Sequence, residues 1–319
     1  MKIYKAGIIG CGQIAGGYNA NCQLGESLTH ACSYNQIDQV ELIAACDPDL
    51  SKRKAFAKKW KISNVFSDTT EMLNKMDLDI VSICSPTEYH IDAFKDIAKT
   101  KTVKGIFCEK PLAYDLQEAY DILNISKKYT VSVNYFRRWN PKLKQLCNDL
   151  KENTYGKLIY IKASYTKGLK VNGSHLIDIL YSFLGMPVDV RTYHIYDSIN
   201  NDPGVDFSLT FAAEIEATFQ HIPNVPYVSF DIEFFTEKGK VSMIQRGQKI
   251  EWFKSIVDED YNKTFKKLQF VSSEETDWTD CPTRALVELL EAISNGGNIS
   301  CTPEDGIRVS EICEKIINY

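Results

Sequence analysis

At 319 residues, with 44% hydrophobic and 25% charged residues, the chain is too long for one ordinary core and has the composition of a soluble globular protein of two domains. A formal charge of −5 at pH 7 gives no reason to expect nucleic acid as a partner, and no apolar run approaches the length that spans a bilayer. Met1-Lys2-Ile3-Tyr4 enters the first strand almost at once, which leaves no room for a signal peptide and sets the expectation of a cytoplasmic protein.

Ten cysteines contain no Cys-x-x-Cys pair, and Cys11, Cys46, Cys84 and Cys108 fall at or near the ends of apolar runs. They read as small buried hydrophobes in a reducing compartment, with a Cys22–Cys32 pair as the one alternative. The five histidines are scattered without ligand spacing, so no metal site is expected.

The first strand, Lys5 to Ile9, is apolar in the manner of a buried parallel strand and breaks into Gly10-Cys11-Gly12-Gln13-Ile14-Ala15-Gly16-Gly17. This is a Gly-x-Gly-x-x-Ala turn. Gly10 permits the tight bend, Gly12 lets backbone approach a pyrophosphate, and Ala15 lets the following helix pack on the strand. The next apolar strand, Val40 to Cys46, ends in Asp47, placed to accept hydrogen bonds from an adenosine ribose. Asp47 lies 37 residues beyond Gly10, where roughly 20 is usual, so an insertion is inferred at Asn19 to Ser27. An acidic residue here repels a 2′-phosphate and favours NAD over NADP, although Lys52 and Arg53 stand close in sequence.

Strand and helix then alternate. Helices are expected at Ser51–Trp60, Thr69–Lys75, Tyr89–Lys99 and Asp115–Lys128, and strands at Asn64–Phe66, Asp79–Cys84, Lys104–Cys108 and Thr130–Asn134. Such alternation predicts a parallel sheet covered on both faces, with ligands at the carboxyl ends of its strands. After Cys84, Pro86 forces an extended turn, and Ser85 or Thr87 is placed to cap the next helix. After Cys108 comes Glu109-Lys110-Pro111. A lysine before proline is kept out of the helical region, so Lys110 either projects into the ligand crevice or is a solvated surface lysine.

A second domain is expected from Tyr135, giving residues 1–134 and 135–319, with the last helix packing back on the first domain. Pro141–Glu152 reads as a helix, Lys157–Thr166 as a strand, and Ser174–Leu184 as a helix closed by Gly185-Met186-Pro187. In that helix His175 and Asp178, three apart, are able to meet. They read as a working pair or as a histidine at a helix start beside an unrelated acid. From Val188 the period becomes two: Phe207, Leu209 and Phe211, then Ile215, Ala217 and Phe219, then Val228, Phe230, Ile232 and Phe234 alternate with polar residues as in antiparallel strands. Lys238-Gly239-Lys240 is a hairpin turn, residues 258–280 read as a charged, irregular surface excursion, and helices are expected at Thr283–Ser294 and Pro303–Asn318.

In order along the chain, the Gly10-x-Gly12 turn, Ser85-Pro86-Thr87 with His90, Glu109-Lys110-Pro111, Asn134-Tyr135-Phe136-Arg137-Arg138 and Asn172-Gly173-Ser174-His175-Leu176-Ile177-Asp178 resemble the successive motifs of the Gfo/Idh/MocA oxidoreductases. The resemblance runs from residue 5 to about 185, with a looser match at Pro303-Glu304-Asp305-Gly306. It implies an α/β protein: an N-terminal Rossmann dinucleotide-binding domain, then a C-terminal α/β domain with a large, mostly antiparallel open sheet. One face of that sheet often packs on a second subunit, implying a homodimer or homotetramer.

By the same resemblance Gly10, Gly12, Gln13, Ile14, Ala15, Asp47, Ser85, Pro86, Thr87, His90, Glu109 and Lys110 serve the cofactor. Lys110, whose bond to Pro111 is often cis, and His175 are catalytic, and Asp178, Asn172, Tyr165, Lys167 and Arg137 line the substrate. The expected reaction is NAD(P)-dependent hydride transfer between nicotinamide and a hydroxyl or keto carbon of a sugar, cyclitol or nucleotide-linked sugar. Arg137, Arg138, Lys167 and Lys170 read as a cationic rim for a phosphate or carboxylate, or as ordinary solvated surface. One departure stands out. Many relatives carry aspartate four residues before this histidine, where this chain has Val171, so either Lys110 and His175 suffice, Tyr165 or Lys167 stands in, or the chemistry is weakened. A nucleotide-binding regulatory or structural protein, and a glycosidase that uses tightly held NAD, are the rival readings.

Overall fold

A computed structural model of the chain describes residues 2–18, 22, 27–197, 202–259 and 264–318. The amino-terminal part builds six parallel strands, β1 (Tyr4–Ile9), β2 (Val40–Cys46), β3 (Asn64–Phe66), β4 (Ile80–Ile83), β5 (Gly105–Cys108) and β6 (Thr130–Val133), in the order β3-β2-β1-β4-β5-β6. The order reverses between β1 and β4, the place where an open parallel sheet forms a crevice beyond its carboxyl ends. Every residue of β4 and β5 is buried, which is why these strands read as unbroken apolar runs.

The helices between them are α1 (His30–Asn35), α2 (Leu50–Trp60), α3 (Thr69–Lys75), α4 (His90–Ile97) and α5 (Leu116–Ser126). Short polar side chains start four of them: Thr29, Asp49, Asp68 and Asp115 accept backbone N–H groups of α1, α2, α3 and α5. The glycine turn does not run into a long helix. It makes a single wide π-helical turn, Gln13–Gly17, whose last carbonyls are taken from outside: Lys59 Nζ (2.6 Å) and Trp60 Nε1 (3.3 Å) both donate to Gly16 O. A Cβ on Gly16 would lie 2.2 Å from Trp60 Nε1, so the turn is seated directly on α2.

Of the inferred insertion, residues 19–21 and 23–26 lie outside the described residues. Cys22 and Cys32 form a disulfide, which corrects the expectation of ten reduced thiols: α1 brings the Cys32 Cα to 5.7 Å from that of Cys22, within the span of such a bond. Seven of the eight free cysteines are buried.

The second part opens with α6 (Pro141–Lys151), capped by Asn140, and carries α7 (Ser174–Leu184) together with eight strands. These are β7 (Leu158–Tyr165), β8 (Asp189–Ile195), β9 (Val205–Thr210), β10 (Glu216–His221), β11 (Phe230–Thr236), β12 (Gly239–Ile244), β13 (Lys249–Val257) and β14 (Lys266–Glu275), ordered β14-β13-β12-β11-β7-β10-β9-β8. All neighbours are antiparallel except β7 and β10. α7 covers one face, its Phe183 meeting Phe234 of β11 edge-on at 6.3 Å. The strands β9 and β10 are joined through Ala212–Glu214, with Ala213 and Glu214 in the left-handed region (φ 58° and 59°).

The stretch read as an irregular excursion at residues 258–280 instead supplies β14. All ten of its residues are exposed, so it lacks the half-buried alternation by which strands are recognised, and backbone pairing to β13 holds it. Two further helices, α8 (Cys281–Asn295) and α9 (Pro303–Ile317), end the fold.

The contacts form two units, Met1–Trp139 with Thr279–Ser310, and Asn140–Trp278 with Glu311–Tyr319. Where the sequence reading has one boundary at 134/135, residues 279–310 return to the first unit. Gly105 makes room for Ile293 of α8 against β5, the Tyr4 hydroxyl meets Ser294 Oγ at 2.7 Å, and Val133 N–H donates to Cys301 O at 2.9 Å.

Candidate active site

At the reversal point the backbone of Gly10 has φ +89°, and a Cβ there would lie 2.7 Å from Ser85 N in the turn after β4. Two turns from neighbouring strands therefore touch through a glycine that nothing else can replace. A Cβ on Gly12 would meet nothing within 4 Å, so the surface above that residue is open. Gln13 is exposed, Ile14 half-buried and Ala15 fully buried. Asp47, 8% exposed, takes the Cys11 N–H on Oδ2 and the Asp49 N–H on Oδ1, both at 2.8 Å, and each oxygen keeps lone pairs for further donors. Arg53 Nη1 donates to the main-chain carbonyls of Asp47 and Pro48, each at 2.9 Å. Burial, with the Asp47 charge adding to it, pushes the Cys11 thiol up to about 12, so it is a packing group and no nucleophile.

After β4 the chain makes a 3-10 turn, Thr87–Tyr89, before α4. This turn removes Ser85 and Thr87 from the capping position expected of them, and α4 has no side-chain cap. Thr87 is buried and Pro86 exposed, while Ser85 Oγ is buried with no hydrogen-bond partner among the described residues. His90, read as a cofactor residue, has no exposed surface. Its ring nitrogens face Leu112 O (3.1 Å) and Ser85 O (3.0 Å), so it braces two loops from behind rather than touching a ligand. Burial holds its pKa below the ordinary value, against the pull of those carbonyls.

At the end of β5 stand Glu109 and the half-buried Lys110, and the Lys110–Pro111 peptide is cis, as the resemblance implies. Glu109 Oε1 accepts from Asn134 Nδ2 at 2.6 Å and faces His30 Nε2 at 2.9 Å, while Oε2 accepts the Lys110 N–H at 3.3 Å. Burial would raise this carboxyl, but the hydrogen bond from His30, then that from Asn134 and the Lys110 charge, together hold it below the usual range. His30, scattered and idle in the sequence, is thus part of the same constellation. No spacing rule reaches from residue 30 to residue 109.

The second unit places His175 in the first turn of α7, 7% exposed and edge-on to Phe230 at 6.3 Å, with Asp178 one turn further along and 1% exposed. Asn172 is half-buried and its Nδ2 donates to Thr166 O at 2.9 Å. Val171 is 45% exposed. A carboxylate is present at this turn, from a residue the sequence reading passed over: Asp202 accepts the N–H groups of Lys170 (2.7 Å) and Val171 (2.9 Å).

Two expectations, one in each unit, fail. Tyr165 is completely buried, and its hydroxyl both donates to Val205 O (2.8 Å) and accepts from Val205 N (2.9 Å), so it is turned into the core and closed to a substrate. The Arg138 side chain is 7% exposed, in an ion pair with Asp305 (3.3 Å) and a bond to Ser300 O (2.8 Å), which takes it out of any cationic rim. Arg137 lies 4.6 Å over the Phe136 ring and is only 9% exposed, whereas Lys167 is exposed with φ 63°.

Residues 4–135 match the family model GFO_IDH_MocA, described as "Oxidoreductase family, NAD-binding Rossmann fold". Over 98% of this chain and 92% of its own length, the oxidoreductase YrbE of Bacillus subtilis is 24% identical. Over residues 4–135 the chain is similar to the Gfo/Idh/MocA oxidoreductases. The D-glucoside 3-dehydrogenase of Escherichia coli is 26% identical over 61% of this chain and 56% of that protein. Among solved structures, UDP-N-acetylglucosamine 3-dehydrogenase GnnA from Acidithiobacillus ferrooxidans superposes with a TM-score of 0.75 at 18% identity, covering 99% of this chain and 97% of that one, a likeness of fold.

The residues of this chain fit a dinucleotide. The open face of Gly12, the unpartnered Ser85 Oγ and the spare lone pairs of Asp47 are the complementary features a pyrophosphate, its neighbouring sugar and an adenosine ribose require.

Proposed function

We propose that this protein uses NAD to interconvert a hydroxyl and a keto group on a sugar, cyclitol or nucleotide-linked sugar. When bound, the nicotinamide supplies or takes up the hydride. Gly10, Gly12 and Ala15 hold the diphosphate side of the cofactor, Asp47 the adenosine ribose, and Ser85 and Thr87 the turn beside it. Lys110 and His175 manage the proton of the reacting hydroxyl, with Asp178, Asn172 and Lys167 on the substrate. NAD is preferred because Asp47 presents an anion where a 2′-phosphate would stand, and Arg53 is engaged by the main-chain carbonyls beside it. Exposed apolar residues on the second unit's sheet, among them Tyr193 and Ile195 of β8 and Leu268 and Phe270 of β14, support a homo-oligomer built through that sheet.

The observation that carries this reading is Lys110 at the carboxyl end of β5, one strand from the β1/β4 reversal where the Gly10 and Ser85 turns meet. Incubation with NAD and a library of sugars, cyclitols and nucleotide sugars, followed by nicotinamide absorbance, identifies the substrate class. In Lys110→Ala turnover is expected to fall about a hundredfold or more, with the NADH dissociation constant within about twofold of wild type. Unchanged turnover removes Lys110 from the chemistry, and tighter binding of NADPH than NADH removes the ribose role of Asp47.

A further inference from the structure

Behind Lys110 runs a buried line of polar side chains that the proposed chemistry does not use. The Tyr34 hydroxyl meets Ser82 Oγ at 2.7 Å, Ser82 Oγ meets His30 Nδ1 at 2.9 Å, and His30 Nε2 meets Glu109 Oε1 at 2.9 Å. Tyr34, Ser82, His30 and Asn134 are each 2% exposed or less. One assignment of protons satisfies the line: Tyr34 donates to Ser82, Ser82 to His30 Nδ1, and His30 Nε2–H to Glu109, whose other oxygen takes the Lys110 N–H. Burying so many polar groups is costlier than filling the same space with carbon, so a role beyond packing is called for.

We propose that His30 is a positioning residue for the reaction, acting through Glu109: together with Asn134 it holds the Glu109 carboxylate in one orientation, and that carboxylate sets the place and proton affinity of Lys110. The line ties α1, β4, β5 and β6 to a single oxygen atom, Glu109 Oε1, leaving Oε2 to face the lysine's own peptide. If one donor to Oε1 is lost, more negative charge remains uncompensated beside the Lys110 ammonium, and the lysine keeps its proton to higher pH. The inference rests on the reading of Lys110 as the proton-managing residue, but it is testable without any substrate.

His30→Asn and His30→Gln separate the two ends of the imidazole. The shorter amide reaches toward Ser82 as Nδ1 does, and the longer one toward Glu109 as Nε2 does. Pulse acetylation of Lys110 with acetic anhydride across the pH range, read by peptide mass spectrometry on the full chain, reports the lysine directly. His30→Asn is expected to move the half-labelling pH upward and to slow labelling several-fold at mildly alkaline pH. His30→Gln should stay close to wild type, with both variants matching it in circular dichroism and NADH affinity. Where a substrate is turned over, His30→Asn lowers kcat and moves its acid limb to higher pH with KM little changed.

Equal labelling profiles in wild type and folded His30→Asn overturn the proposal, as does an equal change in both variants, which would mark the line as a fold-holding contact only. A shifted profile in a protein that turns over none of the library leaves the positioning role intact and sinks the dehydrogenase reading instead.

Discussion

Two carboxylates end two strands of the same sheet, and they are held by different means. Asp47, after β2, is bound by the main-chain N–H groups of Cys11 and Asp49, one from the glycine turn and one from its own loop. Glu109, after β5, is bound by the side chains of His30 and Asn134 and by one peptide N–H. Backbone donors belong to the local conformation and are present whatever the side chains. Side-chain donors must be brought in from elsewhere and exist only in this sequence. The first arrangement suits a group that binds an unchanging part of a cofactor, and the second a group whose charge must be tuned.

The sharpest way to break the backbone half is Gly10→Ala. Its positive φ and the 2.7 Å approach to Ser85 N leave no place for a methyl group, and a loss of about 3 kcal/mol or more is expected, read as a lowered denaturation midpoint along with loss of NADH binding. Next in size, Asp47→Ala should weaken NADH binding by roughly thirtyfold, the loss of about 2 kcal/mol of charge-assisted hydrogen bonding, with kcat unchanged at saturating cofactor. Glu109→Gln should do the reverse, leaving NADH affinity within about twofold while kcat falls about tenfold. If the two variants give the same kinetic signature, the distinction between binding and tuning carboxylates is wrong.

The pH dependence of stability sharpens the comparison further. Glu109 is held below its unfolded value of 4.5, so the unfolded chain binds a proton first as pH falls. The stability it contributes is complete above about 4.5 and is lost below that, down through the folded value. His90, also held low, contributes stability that is complete above its unfolded value of 6.5 and declines as pH falls beneath it. Urea denaturation across this range should therefore weaken in two stages, and Glu109→Gln should flatten only the more acidic one. The smallest effect on the fold is expected for Gly12→Ala, whose methyl meets nothing within 4 Å at φ −78°. Its stability should stay within about 1 kcal/mol of wild type, so any lost NADH affinity in that variant reports the cradle alone.

Much of the first unit was legible because its signals are short-range. A buried parallel strand is an apolar run, a helix start is a Thr or Asp three residues from the N–H it caps, and the limits of β2, β3 and α3 fall where pattern alone puts them, as do those of α7 in the second unit. Gly10 and Asp47 owe their places to local conformation and to position at a strand end, which composition and order express. β14 escaped because an edge strand exposed on both faces has no period to detect, and Tyr165 and Arg138 were misassigned because their polar ends are consumed by Val205, Ser300 and Asp305, partners remote in the chain.

Order and spacing along the chain were enough to specify a parallel sheet, its glycine turn and the acid after β2, because each depends on residues that are neighbours in the polypeptide. The partners of Glu109, the Cys22–Cys32 bond, the carboxylate that Asp202 brings to Val171 and the return of α8 to the first unit were settled by folding alone. Each requires side chains or segments tens of residues apart, or at least across an unpatterned stretch, to meet at hydrogen-bonding or bonding distance, and no periodicity records which distant group will arrive.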